Sequence, residues 1–162
     1  MLLYLLEFIH SSFEAASILA GLITLSKIFA GRPFEQWAIF ALQSALIVSV
    51  IGMLFPVGRL LSVRLAAMIT VYVAGMATLA WRQFHLTRTW GLVFALSLIG
   101  VLCLEVIVAI RNLFYWVSPT DTPGPQPVKL SLLIAESVAV LFFLGLCVSA
   151  VRRYQNRSVD RL

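Results

Sequence analysis

Five long apolar stretches constrain this chain more than any other feature. Each is about twenty residues or longer, which at about 1.5 Å per residue crosses about 30 Å of hydrocarbon. Only 12% of the residues are charged and 61% are hydrophobic, whereas a soluble domain carries about 25% charged residues. We therefore predict an all-α integral membrane bundle of five transmembrane helices, forming a single transmembrane domain over residues 1–162. The predicted helices cover about 3–29, 36–55, 61–81, 90–110 and 130–151, followed by a basic cytoplasmic tail over 152–162.

The third stretch is the weakest candidate for a crossing, because only residues 65–81 within it are free of charged side chains. A re-entrant segment there is the alternative, and it would leave four crossings. The connections contain the glycines and prolines that interrupt helices. Residues 118–127, reading SPTDTPGPQP, hold four prolines and predict an extended connector.

The positions of the basic residues predict the orientation in the membrane. With the carboxy terminus inside, eight basic residues lie on the cytoplasmic side: Lys27, Arg32, Arg82, Arg88, Arg152, Arg153, Arg157 and Arg161. Four lie outside: Arg59, Arg64, Arg111 and Lys129. The positive-inside rule thus places the amino terminus outside and the carboxy terminus in the cytoplasm. Because these residues lie at the ends of apolar spans, the pI of about 9.8 does not indicate a nucleic-acid partner.

The first helix carries a stripe of polar and small residues. Its members recur at spacings of 3, 4, 3, 4 and 3, which places them on one helical face: Glu7, His10, Glu14, Ser17, Gly21 and Thr24. Ionisable residues within lipid are costly, so we expect this face to point into the bundle or a wet cavity.

Five ionisable residues are candidates for an ion- or proton-binding site: Glu7, His10, Glu14, Glu105 and Glu136. If they share one cavity, the first, fourth and fifth helices must be mutual neighbours. The structural alternative is that Arg111 pairs with Glu7 or Glu136, while the remaining acids stay protonated and hydrogen-bonded between helices. The sequence leaves both interpretations open.

Metal and enzyme chemistry have little support in the sequence. Glu7-x-x-His10 has the spacing of the Glu-x-x-His pairs in di-iron bundles, which makes these two residues the candidates for a metal. Such sites use two pairs, and this chain has one. No phosphate-binding loop, GxSxG, HExxH or CxxC motif is present, so we predict no catalytic residue and no cofactor.

Three segments resemble small, uncharacterised polytopic inner-membrane proteins of bacteria. They are SVIGMLFP in the second helix, VYVAGMATLAWRQFHL in the third, and the pattern from Glu136 to the closing AVRRY. Together they cover about half of the chain. The resemblance implies a bacterial inner membrane and no particular activity.

Two classes of function remain. The first is a non-enzymatic accessory or assembly subunit of a larger membrane complex, with the lipid bilayer and possible self-association as its other contacts. The alternative is a small proton- or cation-linked transporter or channel that uses the intramembrane carboxylates. Five helices are few for a permeation unit unless they oligomerise, which favours the accessory role.

Overall fold

Five α-helices make up the described part of the chain. The computed structural model describes residues 2–32, 34–54, 61–83, 88–117 and 130–159, and these contain no β-strand. The helices are α1 (Leu2–Ala30), α2 (Glu35–Leu54), α3 (Leu61–Arg82), α4 (Arg88–Val117) and α5 (Leu130–Val159). The 118–127 connector and the end of the basic tail, 160–162, lie outside the described residues.

All five helices are long and apolar enough to span a membrane. Large apolar side chains are exposed along them, including Phe8, Leu141 and Phe142. In a membrane protein such side chains face lipid, so their exposure carries no penalty. The chain is therefore an all-α, multi-pass membrane protein with five candidate crossings. α3 is one continuous helix of 22 residues, about 33 Å at 1.5 Å per residue, and so is long enough for a full crossing.

Helices α1 to α4 form a closed ring. α1 packs against α2, α2 against α3, α3 against α4, and α4 against α1. α4 supplies much of the fully buried apolar core through Phe94, Leu98 and Ile99. α5 lies outside the ring and packs mainly against α4. The expectation that α1, α4 and α5 are mutual neighbours is thus wrong for α1 and α5, which share no extensive interface among the described residues.

Two helix ends differ from the predicted boundaries. α4 continues past Ile110 to Val117, and α5 continues past Val151, so residues 152–159 of the basic tail are helical.

The end of α1 is specified by Gly31, whose φ of 69° lies in the left-handed region that favours glycine. Its backbone N–H donates to Ile28 O at 3.1 Å and that of Arg32 donates to Lys27 O at 2.9 Å. These two bonds form a Schellman cap.

Side chains from neighbouring helices reinforce this end of α1. Arg153 of α5 donates a hydrogen bond to the carbonyl oxygen of Phe29. The Lys27 ammonium lies 5.7 Å from the ring centroid of Trp37, within cation–π range. The three helices α1, α2 and α5 are therefore linked at the end of the molecule where α1 finishes.

Candidate functional site

The polar stripe of α1 faces the interior of the ring, as predicted. His10 and Glu14 are each 5% exposed, and Ser17 and Thr24 are more deeply buried still. Gly21 is buried as well. Glu7 lies within α1, but its side chain is outside the described residues. The helical period thus keeps the side chains of His10 and Glu14 away from lipid.

A cavity of about 20 Å³ lies between α1, α2, α3 and α4. This is room for a single water molecule. The polar residues that line it come from all four helices: His10, Glu14, Ser49, Thr70 and Glu105. Small residues such as Gly52 and Ala67 line it as well, and they keep the space open because they have little or no side chain. The cavity lies nearer the end of the bundle where α1 begins.

Glu14 and His10 form the α1 side of the cavity. The Nδ1 atom of His10 lies 3.9 Å from Oε2 of Glu14, beyond hydrogen-bond distance but close enough for strong electrostatic interaction. Asn112, on α4, lies near the Glu14 carboxyl. Oε1 of Glu14 is buried and has no hydrogen-bond partner among the described residues. A buried carboxyl oxygen without a partner is costly, so this atom is suited to a small polar ligand in the cavity.

Glu105 occupies the α4 side and is 4% exposed. Its two carboxyl oxygens lie 2.9 Å and 2.8 Å from the Ser17 hydroxyl oxygen. The same hydroxyl lies 3.1 Å from the carbonyl oxygen of Ala41 on α2. Ser17 therefore links three helices at one point.

This linkage differs from what other hydroxyl groups in the helices do. Five of them donate back to the carbonyl oxygen four residues earlier in the same helix: Ser12, Thr24, Thr78, Ser137 and Ser149. Such local bonds satisfy a hydroxyl within lipid or a tight helix interface. Ser17 bonds between helices instead, and so contributes to the tertiary structure of the site.

Glu136 does not line the cavity. It pairs with Arg111 of α4, whose Nε donates to Oε1 and whose Nη2 lies 3.3 Å from Oε2. The hypothesis of one cavity shared by all five ionisable residues is therefore wrong for Glu136, because α5 lies outside the ring. The pairing of Arg111 with Glu136, one of the two pairings left open by the sequence, is present.

A groove of about 270 Å³ runs beside the cavity, between α3 and α4. It shares Ala66, Leu104 and Val108 with the cavity lining. Arg111 and the exposed side chain of Leu65 also line it. The groove thus leads from the exposed surface of the bundle to the wall of the polar cavity.

Three polar residues of the site were not among the sequence candidates: Ser49, Thr70 and Asn112. Asn112 follows Glu105 by seven residues, with Val108 between them at spacings of three and four. This spacing places the three residues on one face of α4, and the periodicity could have identified Asn112. Ser49 and Thr70 are small hydroxyl residues in apolar helices, and their spacing alone does not distinguish them from packing residues.

No group of three or more His, Cys, Asp or Glu residues suited to a metal ion occurs among the described side chains. The Glu7–His10 metal hypothesis stays untested, because the Glu7 side chain is outside that set.

Comparisons of the chain with protein-family models, curated proteins and solved structures give no match.

Proposed function

We propose that this protein is a small proton- or cation-linked transporter or channel. One observation carries the proposal: ionisable side chains from α1 and α4 line one water-sized cavity inside a ring of four membrane-spanning helices. Ionisable groups in a membrane interior are costly, and they commonly mark ion pathways and proton relays.

The position of Glu14 supports an exchangeable site. One of its carboxyl oxygens is buried without a hydrogen-bond partner among the described residues, and it borders a space that holds one small ligand. His10 lies beside the other oxygen and is a second group that can bind a proton. The groove between α3 and α4 shares Ala66, Leu104 and Val108 with the cavity lining and lies directly beside the site.

We further propose that the protein resides in a bacterial inner membrane with its amino terminus outside. Because successive helices cross the membrane in opposite directions, the ends of α1, α3 and α5 lie on the same side. Three basic residues lie near these ends, namely Lys27, Arg82 and Arg152. The positive-inside rule assigns that side to the cytoplasm. The cavity then lies in the outer half of the bundle.

Flux measurements in proteoliposomes test the transport proposal. A potassium diffusion potential would drive protons into vesicles that contain a pH-sensitive dye, and a parallel experiment would use a sodium gradient. We expect flux above that of empty liposomes, and a reduction of about tenfold or more in Glu14→Gln because the exchangeable carboxyl is lost.

Glu35→Gln is the matched control. Glu35 is exposed in the first turn of α2, away from the cavity, so its substitution should leave the flux unchanged. Circular dichroism and gel filtration in detergent would verify that each variant is folded. Wild-type vesicles that behave as empty ones towards both ions would contradict the proposal.

An accessory role is the second candidate, and the exposure of α5 favours it. Only 6% of the apolar span of α5 is buried, against 28–44% in the other four spans. A helix with so little contact has a large face available to another membrane protein. A photo-crosslinker at Leu141 of α5 should then form a protein adduct, while one at the equally exposed Tyr72 of α3 should react with lipid alone. Lipid adducts at both positions would argue against this role.

A further inference from the structure

The surroundings of the Ser17 hydroxyl determine where protons lie in the site. Its oxygen has three oxygen neighbours, namely the two carboxyl oxygens of Glu105 and the carbonyl oxygen of Ala41. A hydroxyl has one hydrogen to donate, whereas a carbonyl and an ionised carboxylate can only accept. With an ionised Glu105, three acceptors would compete for one hydrogen.

A neutral Glu105 removes this conflict. Its carboxylic acid donates to the Ser17 oxygen, and Ser17 donates in turn to the Ala41 carbonyl, so that the three groups form one chain of hydrogen bonds. The basic partners also lie elsewhere: within the described residues, Arg111 pairs with Glu136 and His10 lies beside Glu14. Neither of these ion pairs includes Glu105, and burial of its charge at 4% exposure would cost several kcal/mol.

We infer that Glu105 permanently keeps its proton as a hydrogen-bond donor to Ser17, and that the transported species is a proton exchanged at Glu14. The second part rests on the proposed function and specifies its substrate. Glu105 is then a positioning residue that holds α1, α2 and α4 together. Glu14 and His10 carry the change in charge.

Every helix of the ring contributes a polar group near the cavity that Glu14 borders. His10 comes from α1, Ser49 from α2 and Thr70 from α3, while Glu105 and Asn112 come from α4. With Glu105 neutral, no second negative charge among the described residues that line the cavity opposes ionisation of Glu14. A proton delivered by the cavity water converts the Glu14 carboxylate into the neutral acid, and its release to water restores the carboxylate. The exchange needs no other reactant.

The same geometry disfavours a metal cation. A hard cation binds to several oxygen atoms at once, but both carboxyl oxygens of Glu105 already contact Ser17. The described side chains offer no group of three His, Cys, Asp or Glu residues for a metal. A water molecule that carries protons requires only the space of about 20 Å³ and the free Oε1 of Glu14.

Three variants in the proteoliposome experiment separate the two glutamates. Glu14→Gln should reduce proton flux about tenfold or more, because an amide cannot exchange a proton. Glu105→Gln should keep more flux than Glu105→Leu, because its amide N–H₂ still donates to Ser17. Glu105→Leu removes the donor, and its thermal midpoint in detergent should fall below that of Glu105→Gln.

Infrared spectroscopy supplies a readout that does not depend on flux. A protonated carboxyl band should be present in Glu14→Gln at every pH at which the protein is folded, and should be absent at alkaline pH when Glu105→Gln is added to that variant. A band that is lost from Glu14→Gln on raising the pH while the protein stays folded would overturn the assignment of a permanent proton to Glu105.

The failures are distinguishable. Flux of sodium without any proton flux would overturn the proton assignment and leave the transporter proposal standing. A folded Glu105→Gln variant without flux would overturn the division of roles. Absence of both fluxes would overturn the proposed function and the exchange at Glu14, while the infrared band would still decide the state of Glu105.

Discussion

Gly21 of α1 and Leu102 of α4 approach so closely that a β-carbon on Gly21 would lie 2.3 Å from Cδ2 of Leu102. One turn away across the same interface, Ser17 reaches Glu105. The missing side chain of Gly21 therefore allows the helix separation on which the Ser17–Glu105 hydrogen bond depends.

Gly21→Ala should destabilise the protein, although alanine favours helices. The gain in helix propensity is about 1 kcal/mol, whereas overpacking of a filled interface costs about 1–3 kcal/mol. The net loss of unfolding free energy should reach up to about 2 kcal/mol, measured by denaturant titration in mixed micelles. Gly75→Ala is the control, because a β-carbon at Gly75 meets no atom within 4 Å. This variant should therefore show only the stabilisation that comes from higher helix propensity. Equal stability of the two variants would contradict the close approach.

The Arg111–Glu136 pair should couple α4 to α5. Arg111→Met leaves a carboxylate of low exposure unpaired, and Glu136→Gln leaves an unpaired guanidinium. The double variant should lose about 1 kcal/mol less unfolding free energy than the sum of the two single losses. Arg152→Met with Glu136→Gln supplies the control cycle, since Arg152 is exposed near the other end of α5. A zero coupling in the first cycle would show that the pair contributes nothing to docking of α5.

Gly31→Ala should loosen the end of α1. An alanine at a φ of 69° is strained by about 1–2 kcal/mol, so the thermal midpoint in detergent should fall. Gly31→Asn should recover much of the loss, because asparagine tolerates the left-handed conformation better than alanine does. If both variants unfold at the wild-type temperature, the Schellman cap does not contribute to stability.

Reporter fusions would determine the orientation. A reporter after Leu162 should behave as cytoplasmic and one inserted near Gly124 as external, because five crossings separate the termini and the basic residues cluster on one side. Both reporters on the same side would contradict five crossings.

Periodicity predicted the inward face of α1 because a helix repeats every 3.6 residues and lipid penalises ionisable groups on its outer face. His10, Glu14 and Ser17 are accordingly buried. The small residues Ala67, Ala74 and Ala77 of α3 are buried for a related reason, since small side chains permit close helix packing.

The choice of helix neighbours could not be read from the chain. The sequence predicts a depth for Glu136 from which it could reach either a cavity or a basic partner. Because α5 packs outside the ring, Glu136 pairs with Arg111 and does not line the cavity. The link from Ser17 to Glu105 likewise depends on how α1 meets α4. Periodicity assigns each residue to a face of its own helix and contains no information about which helix lies opposite.

The depth of Glu14 has an electrical consequence. It lies six residues into the span Phe8–Ala30, so a proton that arrives from the beginning of α1 travels about 9 Å of about 34 Å at 1.5 Å per residue. It therefore crosses about a quarter of the transmembrane voltage drop, and 100 mV changes its binding free energy by about 0.6 kcal/mol. An inside-negative membrane potential of this size would thus raise proton occupancy of the site about threefold, as a modest lowering of the external pH would.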